Sequence, residues 1–335
     1  MKTSKSVILP AYNDNLLRAI LGLKVEEKQI RELQASEVLV RMAASPCNPS
    51  DIAFLRGGYN IIKPLPAIPG FEASGTIVET GTDVPRLLSK KVSCFIQGDF
   101  DGTWSDFFIA RAKDCIVLKD NMDIKQAACL SINPLTAYGM FEMIKEKNCN
   151  TFIQNAAGGQ VPGFMRILAK KHGINVINIV RKEEHLDKLL AEGNQFVLNT
   201  GSESFETNLQ ELCKDLTPTL AFDAVGGNIT GQMLNAMPEN SQVVVYGGLS
   251  GEKVSMVDVM GIIFNKKSIS GFNLNDWIPT LSKERFVKMT DEIQDMFISG
   301  EFFTTIQAEF PLDDVVKGLR TYIKSMSSGK VLFVP

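Results

Sequence analysis

From residue 151 onward, short apolar runs alternate with segments in which apolar side chains recur every three or four residues. Thr151–Gln154 is a β-prone run, and the segment 163–171 places Phe164, Ile167 and Leu168 on one face of a predicted helix. Asn175–Val180 is the next apolar run. Further helices are predicted at 183–192, 205–213 and 229–237, and further strands at 195–198, 220–223, 242–246 and 268–272. This order predicts an α/β fold with a doubly wound parallel sheet.

The chain before residue 125 follows a different pattern. Short β-prone runs at 37–43, 75–79, 91–95 and 106–110 are separated by turn-rich connections. We therefore expect a mostly β domain over residues 1–125, to which the tail 275–335 returns, and a second domain over residues 126–274. Residues 126–144 are predicted to carry the chain across as a helical joint.

The turn after the first apolar run has residues suited to binding a dinucleotide. Segment 155–160 is small and turn-forming, so backbone N–H groups at the start of the next helix can approach a pyrophosphate. The following strand ends at Arg181 and Lys182, where an acidic residue usually binds the ribose of NAD. Two cations suit the additional 2′-phosphate of NADPH, because a guanidinium can pair with it bidentately. The sequence therefore predicts NADPH rather than NADH.

Two positions of this turn depart from the usual glycine pattern. Pro162 takes the place of the helix-entry glycine, and Gln160 takes another glycine position. Proline is tolerated at the first helical position, but it removes an amide that could face phosphate. A glycine-rich turn without any ligand is the alternative interpretation.

Composition narrows the function classes. The 335 residues, 44% of them hydrophobic, can fill two cores, and a formal net charge of -3 gives no reason to expect nucleic acid or an anionic membrane as partner. No apolar run approaches the roughly 18 residues that span a bilayer, and we identify no signal or transit segment. The six cysteines are scattered without a CxxC pair, which predicts free thiols in a reducing cytoplasm.

Motifs spread over nearly the whole chain resemble those of the medium-chain dehydrogenase/reductase superfamily. They are CNPSDIAFLRGGY at 47–59, LPAIPGFEASGTIVETG at 65–81, INPLTAYGM at 132–140, and the QNAAGGQVPG, FDAVGG and VVYGGL turns. The resemblance implies a Rossmann domain that binds the cofactor and a GroES-like catalytic domain. It places Asn48, Phe71 and Asn133 at the positions of the family's zinc ligands. None of these supplies a thiolate or an imidazole, so we expect no metal.

Among the zinc-free groups, the chain looks most like the mitochondrial-type trans-2-enoyl-thioester reductases. That likeness implies NADPH-dependent reduction of a carbon–carbon double bond conjugated to a carbonyl, with hydrogen-bond donors in place of a metal. It makes Tyr59 the proton donor, and Asn48 with Asp51 would order the active-site loop. Packing of Tyr59 on Ile61 or Pro64, and an Asx turn at Asn48, are the simpler explanations.

The same resemblance assigns the cofactor contacts. They are Asn133 at the nicotinamide or substrate oxygen, Gly158, Gly159, Gln160 and Val161 at the pyrophosphate, Arg181, Lys182 and Glu183 at the ribose phosphate, Val225, Tyr246, Gly247, Gly248, Leu249, Phe272, Asn273, Leu274 and Lys330 along the cofactor, and Trp277 at the mouth of the substrate cleft. Simpler roles remain for three of them, since Asn133 can cap a helix, Phe272 can be core and Lys330 can be a solvated charge.

Two other functions stay open. One is an NADPH-dependent quinone or enone reductase of the same fold, and the other is a protein that binds NADPH without turnover. The expected partners are a small-molecule substrate and a second copy of the chain. Members of the family pair the edge strands of two cofactor sheets, which here implies a homodimer through residues 268–274.

Overall fold

The computed structural model describes residues 2–98 and 100–335. Within these residues the chain forms two compact units. The first unit comprises the chain up to Pro134 together with Val287–Pro335, and the second comprises Leu135–Phe286. The sequence places the domain boundaries after residues 125 and 274. The boundaries between the two units lie later in the chain, after Pro134 and after Phe286.

The strands and helices are numbered in chain order. The strands are β1 (Thr3–Ile8), β2 (Lys24–Gln29), β3 (Glu37–Pro46), β4 (Glu72–Thr80), β5 (Lys91–Phe95), β6 (Phe107–Arg111), β7 (Cys115–Val117), β8 (Thr151–Gln154), β9 (Asn175–Val180), β10 (Phe196–Asn199), β11 (Leu220–Asp223), β12 (Gln242–Val245), β13 (Ser268–Gly271), β14 (Ile306–Pro311) and β15 (Lys330–Val334). The helices are α1 (Leu16–Leu21), α2 (Pro49–Leu55), α3 (Ile124–Ala127), α4 (Asn133–Glu146), α5 (Gln160–His172), α6 (Glu183–Ala191), α7 (Phe205–Leu216), α8 (Asn228–Ala236), α9 (Val259–Phe264), α10 (Leu274–Trp277), α11 (Lys283–Ile298) and α12 (Val315–Lys324).

The second unit is built on a parallel sheet with the strand order β10-β9-β8-β11-β12-β13. Every neighbouring pair of strands in it is parallel. β8 and β11 are buried at every position, as expected where helices cover both faces of a sheet. The predicted α/β fold class is therefore confirmed. The strand order reverses between β8 and β11, and ligands of such folds bind beyond the carboxyl ends of the strands at this reversal.

The first unit is mostly β, with a sheet in the order β14-β15-β3-β4-β5-β7 and with β6 also paired to β3. Its pairs are antiparallel except for β14 with β15. β14 and β15 come from the tail of the chain, so the tail returns to the β-rich part as the sequence predicts. Trp104 and Phe333 are fully buried and pack edge to face, with ring centroids 4.8 Å apart. β1 and β2 pair antiparallel as a separate sheet.

The prediction that residues 126–144 form one helical joint is wrong, because this region contains parts of two helices. α3 ends at Ala127 and α4 begins at Asn133. In the interval between them, the Ile132 N–H and the Ser131 hydroxyl donate to the Glu72 carboxylate at 2.8 and 3.2 Å. Because the Ile132 N–H binds Glu72, it does not make the backbone hydrogen bond that would continue α3.

Among the described residues, no helix is both long and apolar enough to cross a bilayer.

Candidate active site

The glycine turn follows β8 directly. Ala156 adopts a positive φ of 47°, Gly159 is the N-cap of α5, and the helix begins at Gln160. Pro162 therefore occupies the third helical position rather than the first. The N–H groups of the first turn have no intrahelical acceptor, so proline at this position still costs the helix no hydrogen bond. The turn places the amino terminus of α5 at the reversal of the strand order.

Gly158 owes its identity to close packing. A Cβ atom at this position would lie 2.8 Å from Cγ of His185, a half-buried residue in the first turn of α6. Any larger residue would push the imidazole away. The backbone of the turn is thereby held against α6, the helix that follows β9.

A buried carboxylate ties the turn after β8 to the turn after β11. Asp223 is fully buried, and its Oδ1 accepts from Nδ2 of Asn155 at 2.6 Å. The same oxygen accepts the N–H groups of Val225 and Gly226 at 2.8 and 3.0 Å, and Oδ2 accepts from the Thr230 hydroxyl. The sequence places Asn155 and Val225 along one rim but does not identify Asp223 as the residue that joins them.

The two cations predicted for the ribose phosphate stand at the carboxyl end of β9, and both are exposed. Lys182 pairs with Glu184 at 3.0 Å, whereas Arg181 forms no ion pair within the described part of the chain. Glu183 accepts a hydrogen bond from Asn199 at 2.7 Å. Beside them lies a cavity of about 370 Å³ with Glu183, Asn199 and Ser202 in its wall. The guanidinium of Arg181 is available to an anion.

The turn after β12 packs against the end of β11. The N–H groups of Tyr246 and Gly247 donate to the Asp223 carbonyl at 2.9 and 3.3 Å. A Cβ atom at Gly247 would lie 2.8 Å from the Ala224 carbonyl oxygen, while one at Gly248 would meet nothing within 4 Å. Leu249 is half exposed. A side chain at position 247 would therefore clash with the backbone after β11, whereas the space beside Gly248 is open.

Beyond β13, an aromatic pair borders a second cavity of the same unit. Phe272 and Trp277 have ring centroids 5.9 Å apart, and Asn273 caps α10 through Asn275 N–H. The cavity measures about 400 Å³ and is lined by Gly271, Phe272, Asn273, Asp276 and Trp277. Leu274 is buried, so its side chain belongs to the core. Asn133, half-buried, opens α4 just before the boundary between the units.

In the first unit, Asn48 lies between two charged side chains. Its Nδ2 donates to Glu72 Oε2 at 3.2 Å, and its Oδ1 accepts from the Lys330 ammonium. All three residues are almost completely buried. These partners fix which end of the amide faces each charge. Lys330 is thus an internal cation and not a solvated one, and its cofactor contact stays a prediction.

Asp51 is the second carboxyl of this cluster. Its Oδ2 accepts the Asn48 N–H at 2.7 Å, an arrangement that opens helix α2. Burial raises the pKa of Asp51 from 3.8 to about 7, while the hydrogen bond from Asn48 and the charge of Lys330 oppose the rise. Burial also raises the pKa of Glu72, against the influence of Lys330. One ammonium therefore faces two buried carboxyls, of which Asp51 is half protonated near neutral pH.

Tyr59 packs on Phe71, with ring centroids 5.2 Å apart. Burial raises the pKa of the half-buried phenol above 10.0, and the Asp51 carboxyl raises it further. The hydroxyl is therefore protonated at neutral pH. A protonated phenol can donate, and the catalytic roles of Tyr59 and Asn48 stay predictions.

The residues at the positions that the resemblance assigns to zinc ligands do not fit zinc. Phe71 is core, and the Asn48 oxygen already accepts from an ammonium, a neighbour that would repel a divalent cation. Among residues 2–98 and 100–335, no group of three or more His, Cys, Asp or Glu side chains is arranged to hold a metal ion.

Comparison with known proteins gives matches along most of the chain. A zinc-binding dehydrogenase model matches residues 164–295, and an alcohol dehydrogenase GroES-like model matches residues 34–120. The mitochondrial enoyl-[acyl-carrier-protein] reductase of Xenopus tropicalis is 30% identical over 309 residues, which cover 89% of this chain and 87% of that protein.

Solved structures agree with the fold. A protein of Mesorhizobium loti assigned as an NADPH:quinone reductase superposes with a TM-score of 0.93 and 29% identity, covering 100% of this chain and 99% of that one. A mitochondrial 2-enoyl thioester reductase heterodimer of Candida tropicalis superposes with a TM-score of 0.83 at 23% identity and full coverage of both chains. At that lower identity the likeness extends to the fold alone.

The raised pKa of Asp51 predicts a specific pH dependence of stability. The folded protein holds the Asp51 proton up to about pH 7, whereas the unfolded chain releases it near 3.8, so the free energy of unfolding falls as pH rises between these values. Asp51→Asn keeps an oxygen for the Asn48 N–H but cannot ionise. We expect it to gain stability over wild type at about pH 8, on the order of a few kcal/mol, and little at about pH 4.

Urea unfolding of both proteins at the two pH values measures this difference. Asp120→Asn, which alters an exposed carboxyl in the same unit, serves as the control. An equal stability difference between Asp51→Asn and wild type at both pH values would contradict the assignment.

Proposed function

Because the chain belongs to the medium-chain dehydrogenase/reductase superfamily, in its enoyl reductase and quinone reductase branch, we propose that it reduces a carbon–carbon double bond conjugated to a carbonyl, of the 2-enoyl thioester type, with NADPH. The observation that carries the proposal is the half-buried phenol of Tyr59, packed on Phe71, in a unit where Asn48 and Phe71 stand at the positions that the resemblance assigns to zinc ligands. Such a site favours a reaction in which a proton donor, and not a Lewis acid, completes the chemistry.

The second unit supplies the features that would hold the cofactor. The amino terminus of α5 stands at the reversal of the strand order, where backbone N–H groups and the helix dipole favour a pyrophosphate. Arg181 would pair with the 2′-phosphate at the end of β9, and Lys182 would add a second positive charge. When bound, NADPH would supply a hydride to the β carbon of the substrate.

Tyr59 would then give a proton to the α carbon. Charge that develops on the conjugated carbonyl is stabilised by hydrogen-bond donors, and a phenol with a raised pKa remains a donor throughout the neutral pH range. The Asn48 amide, held between Glu72 and Lys330, would fix the start of α2, the helix that leads to the loop carrying Tyr59. Asn48 would thus order the donor loop.

Reduction of a quinone or enone is the alternative supported by a specific observation. The Mesorhizobium loti structure assigned as a quinone reductase has 29% identity and covers the whole chain. The cavity beside Phe272 and Trp277 is aromatic, which suits a planar ring. NADPH binding without turnover is the third possibility, since the glycine turn carries Pro162.

The second unit also supports the proposal of a homodimer. β13 ends the sheet and pairs with a neighbour on one side, which leaves a row of backbone groups free for another strand. Helix α9, close in sequence, exposes a run of apolar side chains: Val259, Met260, Ile263 and Phe264 are 59–71% exposed. A second copy that covers this helix would remove the patch from water.

The proton-donor role predicts the behaviour of Tyr59→Phe. The variant should lose about 100-fold or more in kcat/KM with crotonyl-CoA, because it lacks the transferable proton. Its affinity for NADPH, followed by fluorescence, should not change. Rates are read as NADPH consumption, with a small quinone as the comparison substrate.

Tyr12→Phe is the matched control for this test. The Tyr12 hydroxyl holds the same loop through the Lys63 N–H and carbonyl, at 2.8 and 2.9 Å, so its removal disturbs the loop without removing the donor. If Tyr59→Phe costs no more than Tyr12→Phe, the phenol of Tyr59 is a packing group. Turnover of quinone alone would favour the quinone reductase, and NADPH binding without any turnover would favour the binding protein.

Cofactor selectivity predicts the effect of Arg181→Ala. A charge-assisted contact with the 2′-phosphate contributes about 1.5–3 kcal/mol, so KM for NADPH should rise about 10- to 100-fold while KM for NADH changes little. Lys188→Ala removes an exposed lysine of the same helix region, paired weakly with Glu192 at 3.9 Å, and should change neither value. Equal losses with both cofactors would contradict the assignment of Arg181.

Light scattering during size-exclusion chromatography tests the homodimer. The wild-type protein should have the mass of two chains, and Phe264→Asp should shift it toward one chain while circular dichroism stays unchanged. Leu88→Asp, which alters an exposed leucine of the first unit, should leave the dimer intact. A wild-type mass of one chain would refute the dimer.

A further inference from the structure

Two cysteines of the first unit face each other across neighbouring antiparallel strands. Cys94 on β5 and Cys115 on β7 are direct partners in the strand register. Their Sγ atoms lie 3.5 Å apart, and both thiols are free. Cys94 is fully buried, whereas Cys115 is partly exposed. The core therefore shields Cys94 from solvent, while small molecules in solution can reach Cys115.

The backbone already has the separation that a disulfide needs. Direct partners in an antiparallel pair have Cα atoms about 4.5–5.5 Å apart, which lies inside the range of about 4.4–6.8 Å found for disulfides. Bonding requires the two sulfur atoms to approach from 3.5 Å to about 2.05 Å. Side-chain rotation covers most of that distance, so the strands need not separate.

We propose that Cys94 and Cys115 form a reversible disulfide when the protein meets a hydroperoxide. Cys94 and Cys115 are placed for direct cross-linking, because they are direct strand partners with their Sγ atoms in contact. Cys149 has the Thr219 hydroxyl at 3.0 Å instead of a second thiol, and it belongs to the other unit. The cross-link would join β7 covalently to the sheet.

The reaction balances with the peroxide as the oxidant. The Cys115 sulfur attacks the O–O bond, so an S–O bond forms, the peroxide bond breaks, and one water or alcohol leaves. The Cys94 sulfur then attacks the Cys115 sulfenic acid, the S–S bond forms, the S–O bond breaks, and the departing oxygen takes the Cys94 proton as water. Each sulfur gives up one electron and the peroxide receives two.

The order of the two steps follows from the surroundings of the thiols. Burial raises the pKa of Cys94 well above its usual value, and contact with Cys115 and the charge of Asp114 add to the rise. Cys94 therefore keeps its proton until it attacks the Cys115 sulfenic acid, and it is shielded from solvent. Cys115 is the sulfur that a peroxide can reach, and Cys94 is the resolving partner already in contact with it.

Peptide mapping without reduction tests the proposal on the full chain. Reduced protein is treated with hydrogen peroxide, unfolded in an alkylating reagent and cut with trypsin. Cleavage after Lys91, Arg111, Lys113 and Lys119 puts Cys94 in peptide 92–111 and Cys115 in peptide 114–119. The expected product is these two peptides joined, lighter by two hydrogens than their sum. Dithiothreitol should return both to free thiols.

Variants separate the pair from general oxidation. Cys115→Ser should abolish the joined peptide and leave Cys94 reduced, while Cys149→Ser should leave the joined peptide at its wild-type level. The proposal is overturned if Cys115 proceeds to sulfinic acid with Cys94 still alkylated, or if both cysteines stay alkylated while the peroxide is consumed. None of these results depends on which substrate the protein reduces.

Discussion

A carboxylate removed from water must be met by donors or by a positive charge, and in each unit of this protein one buried carboxylate draws several donors to itself. In the second unit, Asp223 gathers Asn155, two backbone N–H groups and the Thr230 hydroxyl. In the first, Glu72 gathers the Asn48 amide, the Ser131 hydroxyl and the Ile132 N–H. Without these partners, either charge would cost several kcal/mol.

The donors come from segments that are distant in the sequence, so each carboxylate also fixes the geometry of a candidate site. Asp223 holds the turn after β8 against the turn after β11, where the strand order reverses and a dinucleotide would bind. Glu72 holds the break between α3 and α4 against the start of α2, and Lys330 balances its charge through Asn48. An ammonium supplies the positive charge beside Asn48, one of the positions that the sequence resemblance assigns to a zinc ligand.

The sequence predicts the periodic parts of the fold well. The alternating runs after residue 151 predict strands and helices within a few residues of those observed, because burial on both faces of a parallel sheet leaves a plain apolar signal. The break at residues 128–132 is not predictable in this way. Pro134, at the second position of α4, favours a helix start there, and the buried Glu72, which lies far away along the chain, accepts from the Ser131 hydroxyl and the Ile132 N–H.

The same distinction applies to the candidate site. The glycine turn and the Arg181–Lys182 pair are local and can be recognised, as can the loop that carries Tyr59. The burial of Lys330, the raised pKa of Asp51 and the contact of Tyr59 with Phe71 depend on β3, β4 and β15 meeting in one sheet. A charged residue near the end of a sequence is usually solvated, and nothing local to Lys330 indicates otherwise.

The path of the chain through the two units also sets the order in which a ribosome can complete them. Leu135–Phe286 is one continuous stretch, so the second unit can close as soon as it leaves the exit tunnel. The first unit begins earlier and finishes later, since β15, which lies after the second unit in the sequence, pairs with β3. Until then, Asn48 and Glu72 lack their ammonium, and the nascent β-rich part exposes an unfinished sheet edge to chaperones.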